Sequence, residues 1–492
     1  MATECGGREF GDSDFNMRNL LISLAIIAVF LETSGLIWSA KEGQPSEAYR
    51  QLSQPPERRT DNPLSNGYFM MIGFAAAAAE DPVQIGFEMW REAVDAPGRR
   101  LFDYHRHGRA ELRTTLDAGT AFPAWTAADP VAEFRQPDAL LRMSMDRYTT
   151  LLSRYERFLD MPFEDWGFGL EGIPRFEEFL LTHRLYVAAG YAESTQAGSI
   201  RLQRDMQAWH AILAGARTLS IKTAALLMLD DDIAFLSKRL MFDSTAPVAA
   251  LLTMTRPFTK EEYSLRWPIQ NQFVIATSQG RRTGLDPLTG LDETVRGEEW
   301  LAKNARLVPD AFRRVQHPPL TTMLETAVAS QRMWDTYAMY YDLTIKASES
   351  MHSPLPKLSD VARSSSRTLV ETLLRPLEFE PDWDIFSLRL METDAKLRLA
   401  SLQILLRQWS VSTTVPDRLA EVGPRYYDPF TGLPMLWSQT QAMVYSVGRD
   451  HIDDGGDPHF DLAVPASPDS LTHGKRRTRD ASFTTTRDKR KI

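Results

Sequence analysis

The stretch from Asp428 to Asp461, DPFTGLPMLWSQTQAMVYSVGRDHIDDGGDPHFD, is where residue type and spacing come nearest to a specific chemistry. Asp450, Asp453, Asp454, Asp457 and Asp461 crowd around Gly455-Gly456. Carboxylates this dense repel one another unless water or a cation separates them. A hard cation such as Ca²⁺ takes roughly six to eight oxygen ligands from a loop flexible enough to wrap it. These five side chains are therefore the candidate metal ligands, with calcium as a structural cofactor. With Asp450 counted as position 1, Asp454, Gly455 and Asp461 fall at positions 5, 6 and 12 of an EF-hand loop. Ile452 stands at position 3, Asp rather than Glu at position 12, and the flanks read as strands, so the EF-hand is rejected. A calcium loop of another kind and a solvated acidic turn whose glycines supply positive φ both remain open.

The elements that must hold this loop are short. Asp428-Pro429-Phe430-Thr431-Gly432 reads as a turn, because Asp can bond its own backbone, Pro fixes φ and Gly permits the exit. Met435–Trp437 and Ala442–Val447, separated by polar Ser438-Gln439-Thr440-Gln441, read as a small hairpin. The pattern DPF-T-G-x-P, a strand ending Y-S-V-G and then D-x-x-D-D-G-G-D is similar to the C-terminal end of the major pseudopilins of type II secretion systems. That resemblance implies a strand-and-loop unit that binds calcium, although His451 follows Asp450 here in place of the usual glycine. The same ending, with Asn66–Phe74 (NGYFMMIGF) and Asp205–Lys222 (DMQAWHAILAGARTLSIK), also resembles a group of uncharacterised membrane-anchored proteobacterial proteins. It implies a similar architecture and no particular activity.

Other constellations carry less. Gly167-Phe168-Gly169-Leu170-Glu171-Gly172 spells G-x-G-x-x-G, but acidic residues precede it and Pro174 follows, so it reads as a loop. Asp230-Asp231-Asp232 lacks the D-D-x-x-D spacing of helical prenyl-transfer enzymes and is best explained as acidic residues at a helix N-terminus. His105-Arg106-His107 has only Asp103 near it and reads as a polar loop. No P-loop, H-E-x-x-H or G-x-S-x-G motif occurs. If the chain is an enzyme, Glu164 and Asp165 beside Trp166 are the first carboxylates to consider.

Across all 492 residues, 43% hydrophobic and 25% charged, the composition is that of a globular protein with ample core material. Residues 471–492 carry eight Lys/Arg against two Asp, so the net −9 divides into +6 for this tail and −15 for the rest. An acidic body argues against broad nucleic-acid binding. Cys5 is the only cysteine, which excludes an intramolecular disulfide.

Residues 1–17 are a polar extension, and Met17-Arg18-Asn19 before an apolar run reads as an alternative start. Within 18–40, Leu20–Trp38 supplies about 20 residues, enough to cross a hydrocarbon core, with Glu32 as the cost. A cleaved signal peptide and a buried core helix compete with that anchor. Arg18 places the body outside the cytoplasm, facing the periplasm. Residues 41–65 read as a proline-rich linker, 66–425 as a helical domain, 426–465 as the hairpin with its acidic loop, and 466–492 as a disordered basic tail.

Helical spacing dominates the middle. Ala139–Leu159 and Phe176–Tyr191 are expected helices, and Met206, Trp209, Leu213, Ala216, Thr223 and Leu226 read as one helical face. The expected fold is mainly α: an irregular antiparallel helical domain with an N-terminal transmembrane helix and a small C-terminal β-hairpin unit. The expected function is interaction or assembly at the bacterial inner membrane, with a protein partner in the envelope. The alternative is an envelope enzyme, of hydrolase type, with a carboxylate-lined groove.

Overall fold

The computed structural model describes residues 45–95, 125–282, 320–357, 361 and 383–466, less 61, 126, 138, 171–176, 243–246, 351–354 and 409–413. Within them the chain is mainly helical, with one three-stranded sheet. In chain order the helices are α1 (Glu47–Leu52), α2 (Gly67–Ile72), α3 (Pro82–Asp95), α4 (Pro130–Arg135), α5 (Ala139–Arg147), α6 (Thr149–Asp160) and α7 (Glu177–Glu193). There follow α8 (Thr195–Gly215), α9 (Leu219–Phe242), α10 (Val248–Met254), α11 (Lys260–Tyr263) and α12 (Arg266–Arg282). The series closes with α13 (Leu320–Glu349), α14 (Trp383–Leu406) and α15 (Val415–Glu421), then strands β1 (Leu436–Ser438), β2 (Met443–Ser446) and β3 (Leu462–Pro465).

The chain divides into two compact units. The first is drawn from Met1–Gln54, Phe273–Asp342 and Lys357–Leu377. Its described part is an aromatic cluster: Phe273 meets Tyr49 edge-on at 5.4 Å and Tyr341 at 5.6 Å between ring centroids. Ser46 caps α1 by accepting the Tyr49 N–H, and its own N–H donates to Asp335.

The second unit holds α7, α8 and α9 at its centre, with α9 packed on α14 and α6 on α7. Only Ser194 separates α7 from α8, and its hydroxyl caps α8 by accepting the Ala197 N–H. A Cβ at Gly198 would lie 2.3 Å from the Tyr191 ring, so glycine is what lets these two helices approach. Tyr155, Tyr186, Tyr191 and Trp209 fill the resulting core.

Several expected boundaries move. Ala139–Leu159 is two helices, parted at Tyr148. The face read from Met206 to Leu226 is broken between α8 and α9, where the Asp165 carboxylate accepts the N–H groups of Arg217 and Thr218. Residues 41–65 are not a plain linker. The stretch contains α1, with Tyr49 and Leu52 buried, and Arg58 lies over the Trp166 ring at 4.2 Å. Leu20–Trp38, His105, His107, Cys5 and the tail from Ser467 lie outside the described residues. Among the described residues no helix is long and apolar enough to cross a membrane.

The expected hairpin forms, β1 against β2 with Trp437 opposite Val444. A third strand, β3, returns after the acidic loop and pairs with β2, Val444 opposite Val464. This sheet does not stand apart from the helices. Met435 and Val444 share one core with Leu399 and Leu402 of α14 and Leu419 of α15.

Candidate functional site

A polar residue on a helix that is apolar all round must find its partner inside the protein. In α9 the run Leu226–Leu236 is apolar except for Asp230-Asp231-Asp232. The run lies in the middle of the helix, not at its N-terminus as the sequence suggested. Adjacent helical residues point about 100° apart, so the three carboxylates reach three different partners. Asp230 meets Lys396 of α14 at 3.2 Å. Asp231 takes a bidentate hydrogen bond from Arg184 of α7, at 2.8 and 2.7 Å. Asp232 is fully buried and faces His183 of α7.

His183 is the hub of a buried chain of contacts. Its Nδ1–H donates to Asp205 Oδ2 of α8 at 2.6 Å. The other Asp205 oxygen accepts the Tyr155 hydroxyl at 2.6 Å, and that hydroxyl accepts Trp209 Nε1–H at 2.9 Å. On its far side His183 Nε2 lies 3.3 Å from Asp231 Oδ2 and 3.5 Å from Asp232 Oδ1, without a hydrogen bond. Neither Asp232 oxygen receives an N–H or O–H donor. Burial pushes the Asp232 carboxyl well above the usual range, and Asp205 and Asp231 reinforce this against the opposing His183. Burial also opposes ionisation of Asp231, but the close approach of His183 and the hydrogen bonds from Arg184 outweigh it and hold that carboxyl at about 2. His183, Asp205 and Asp232 each offer a ligand atom within 4.8 Å of the other two, the one such group of three among the described residues.

A second histidine sits in the wall of a cavity of about 400 Å³, with Gln207, Thr253, Arg256, Glu261 and Glu262 around it. His210 Nδ1–H donates to Glu262 Oε1 at 2.6 Å, and its Nε2 is buried without a partner. Glu262 also takes both Arg256 amines, at 2.8 and 2.7 Å, and closes the capping box of α11 with Thr259. Burial opposes its ionisation, yet His210 and Arg256 bring its carboxyl down to about 2. A carboxylate held so low does not exchange protons near neutral pH. The imidazole keeps Nε2 without a hydrogen-bond partner.

The acidic loop is built from local turns. Asp450 accepts the Ile452 N–H, Asp457 the His459 N–H, and Asp453 both the Gly455 N–H and the Tyr445 hydroxyl. Asp461 is buried; one oxygen accepts the Gly456 N–H at 2.8 Å and the other has no donor. Asp454 is exposed. The expected positive φ is present, at 73° for Gly455 and 84° for Gly456, and a Cβ on Gly456 would press to 3.0 Å from Tyr445. The five carboxylates do not gather three ligand atoms at one point.

Glu164 and Asp165 hold the fold together. Glu164 accepts the N–H groups of Arg59 and Thr60 and the Trp166 indole N–H, and pairs with Arg217 at 2.9 Å. Asp165 accepts from Gly167, Arg217 and Thr218. Gly167–Leu170 is a turn, in agreement with the loop reading of the glycine motif. Sequence reasoning passed over His183 and His210. The signal in each case was a histidine within a core-forming helix, His183 between Thr182 and Arg184 and His210 between Trp209 and Ala211.

Compared with protein families, curated proteins and solved structures, the chain matches none.

Proposed function

We propose that this chain works by binding: a membrane-tethered protein of interaction or assembly type, anchored through Leu20–Trp38 and facing the periplasm, which meets its partner through the C-terminal β-unit. The observation that carries this reading is apolar exposure on a fixed loop. Ile452 and Phe460 are 58% and 67% exposed, although Asp453 and Asp461 tie the loop to the sheet and to its own backbone; Leu433, on the turn before β1, is 64% exposed. Exposed apolar side chains on an ordered unit rimmed by charge are the surface feature of a contact site. A structural calcium ion among Asp450, Asp453, Asp454, Asp457 and Asp461 belongs to the same proposal. The unpaired, buried oxygen of Asp461 supports it, together with the charges of Asp453 and Asp454, which act on that carboxyl. The resemblance to pseudopilin ends points the same way.

The test is site-specific photo-crosslinking in cells, with the reactive side chain at position 452 or 460 of the full-length chain and at Ile200 as an exposed control. Discrete adducts from 452 and 460, absent from 200, are expected. Equal labelling at all three positions would make the β-unit ordinary surface. For calcium, the melting temperature in calcium and in chelator is compared with that of an Asp453→Ala, Asp454→Ala variant. A rise confined to the parent chain is expected, since a ligand of the folded state must stabilise it.

A second reading rests on His210. A histidine oriented by a carboxylate at a cavity wall is an arrangement suited to general base catalysis, and it supports an envelope hydrolase. His210→Gln with unchanged melting temperature and lost turnover of a hydrolysable ester would favour that reading over binding.

A further inference from the structure

The charges of the His183 cluster do not balance as they stand. Three carboxyl groups, Asp205, Asp231 and Asp232, meet His183 and Arg184 inside the second unit. His183, Asp205 and Asp232 are wholly buried, and Asp231 and Arg184 are nearly so. Burial opposes the charged form of His183, but Asp232 and Asp205 outweigh it and carry its pKa well above the usual histidine range. An imidazolium has no lone pair to give a metal, so the cluster is a set of fixed charges. With every carboxyl ionised it holds three anions against two cations, and an unanswered buried charge is costly.

The hydrogen bonds show which carboxyl group is in excess. Both oxygens of Asp231 are taken by Arg184, at 2.8 and 2.7 Å. Both oxygens of Asp205 are taken too, Oδ2 by the His183 Nδ1–H and Oδ1 by the Tyr155 hydroxyl, each at 2.6 Å. Neither oxygen of Asp232 receives a donor, and His183 Nε2 passes it at 3.5 Å without a hydrogen bond. His183, Asp205 and Asp232 each place one atom within 4.8 Å of the other two. Other charged groups on the elements packed against α9 turn elsewhere. Lys396 of α14 meets Asp230, Arg201 and Arg204 of α8 reach Glu156 and Asp160, and Glu133 and Arg135 of α4 are exposed.

We propose that Asp232 is a buried proton-binding site: at neutral pH it is a carboxylic acid whose O–H donates to Asp205, and that proton latches α9 to α8. With it the cluster holds two cations against two carboxylates, and the missing donor is supplied. A carboxylate oxygen accepts more than one hydrogen bond, so Asp205 has room for it. The surroundings of Asp232 act in the same direction. Burial raises its carboxyl, His183 opposes, and the charge of Asp205 and a hydrogen bond with it add to the rise. Release of the proton in alkaline medium sets Asp205 and Asp232 against each other inside the core, so the latch is a pH-sensitive switch. Its contribution to stability is complete below about 3.9, where the unfolded chain titrates, and is lost as pH rises through the folded value. This site is independent of the C-terminal loop and of the reading given to it.

The experiment is urea unfolding of the full-length chain and of Asp232→Asn at about pH 5, 6 and 7. Asparagine is the uncharged isostere, and its amide can donate to Asp205 as the acid does. If the folded chain holds this proton and the unfolded chain does not, the parent's unfolding constant should climb about tenfold per pH unit relative to the variant's. Groups common to both chains cancel from that ratio. A ratio that stays flat over the range would mean that Asp232 is ionised when folded, and would overturn the proposal. Asp232→Leu repeats the comparison if the asparagine variant does not fold, because the lost carboxyl alone sets the slope. Infrared spectra of chains carrying isotope-labelled aspartate give a second readout at neutral pH. The C=O stretch of a protonated aspartic acid should be present in the parent and weaker in the variant. Its absence from the parent would sink the proposal whatever the variants do.

Discussion

Lys222 shows how far burial of a single group can shape stability. It is buried in the first turn of α9, with Nζ donating to the Leu213 carbonyl at 3.3 Å. Burial lowers its pKa to about 7 against the pull of Glu262. In the unfolded chain the same amine titrates near 10.4. Between those values the unfolded state binds more protons, so stability rises with pH through that window. Below about 7 the lysine is charged in both states and the desolvation cost is complete. Lys222→Met should therefore raise the melting temperature at pH 6, by the equivalent of a few kcal/mol, and the advantage should shrink toward pH 10. Melting curves at the two pH values check this; an equal effect at both would mean that the lysine is charged when folded. The aspartates of α9 make a related point. Asp230, Asp231 and Asp232 are indistinguishable in sequence, yet one is half-exposed beside Lys396, one is held by Arg184 and one is buried against His183.

Among the elements, the break between α8 and α9 is the clearest case of a long-range cause. The apolar spacing continues across Ala216, but the first N–H groups beyond the break are satisfied by Asp165, some 50 residues earlier in the chain. Asp165 thus serves as an N-cap delivered from another loop, and Glu164 beside it collects Arg59, Thr60 and Arg217. Asp165→Ala leaves buried donors at Gly167, Arg217 and Thr218 without an acceptor. The expected cost is about 2–4 kcal/mol, read as a lower urea midpoint with unchanged slope. A loss within experimental error would mean that water replaces the carboxylate. The catalytic interest of these two acids fades for the same reason, since every oxygen of Asp165 is already in use.

At the level of the whole molecule, the β-unit and the helices of the second unit stand or fall together. Met435 and Val444 pack on Leu399, Leu402 and Leu419, and Gln403 of α14 donates to the Pro465 carbonyl. A chain ending at Val422 would expose Leu399 and Leu402 to water. Its helical signal at 222 nm should melt at a lower temperature than that of the parent. An unchanged melt would make the β-unit an independent appendage. Leu402→Ala, a smaller cut into the same core, should cost about 2–5 kcal/mol.

Local rules made much of this architecture legible before any coordinates. Three- and four-residue apolar spacing marked the helices, the two short apolar runs marked β1 and β2, and Gly455-Gly456 marked the turn that needs positive φ. These features depend on residues near one another in the chain, and periodicity carries that information. The third strand, the split of the helix face at Ala216 and the docking of residues 47–60 depended on partners far away. So did the meeting of His183 with Asp205, Asp231 and Asp232, which three separate helical stretches bring to one point. Which polar side chain becomes buried, and against what, is set by how helices pack, and no local pattern contains it.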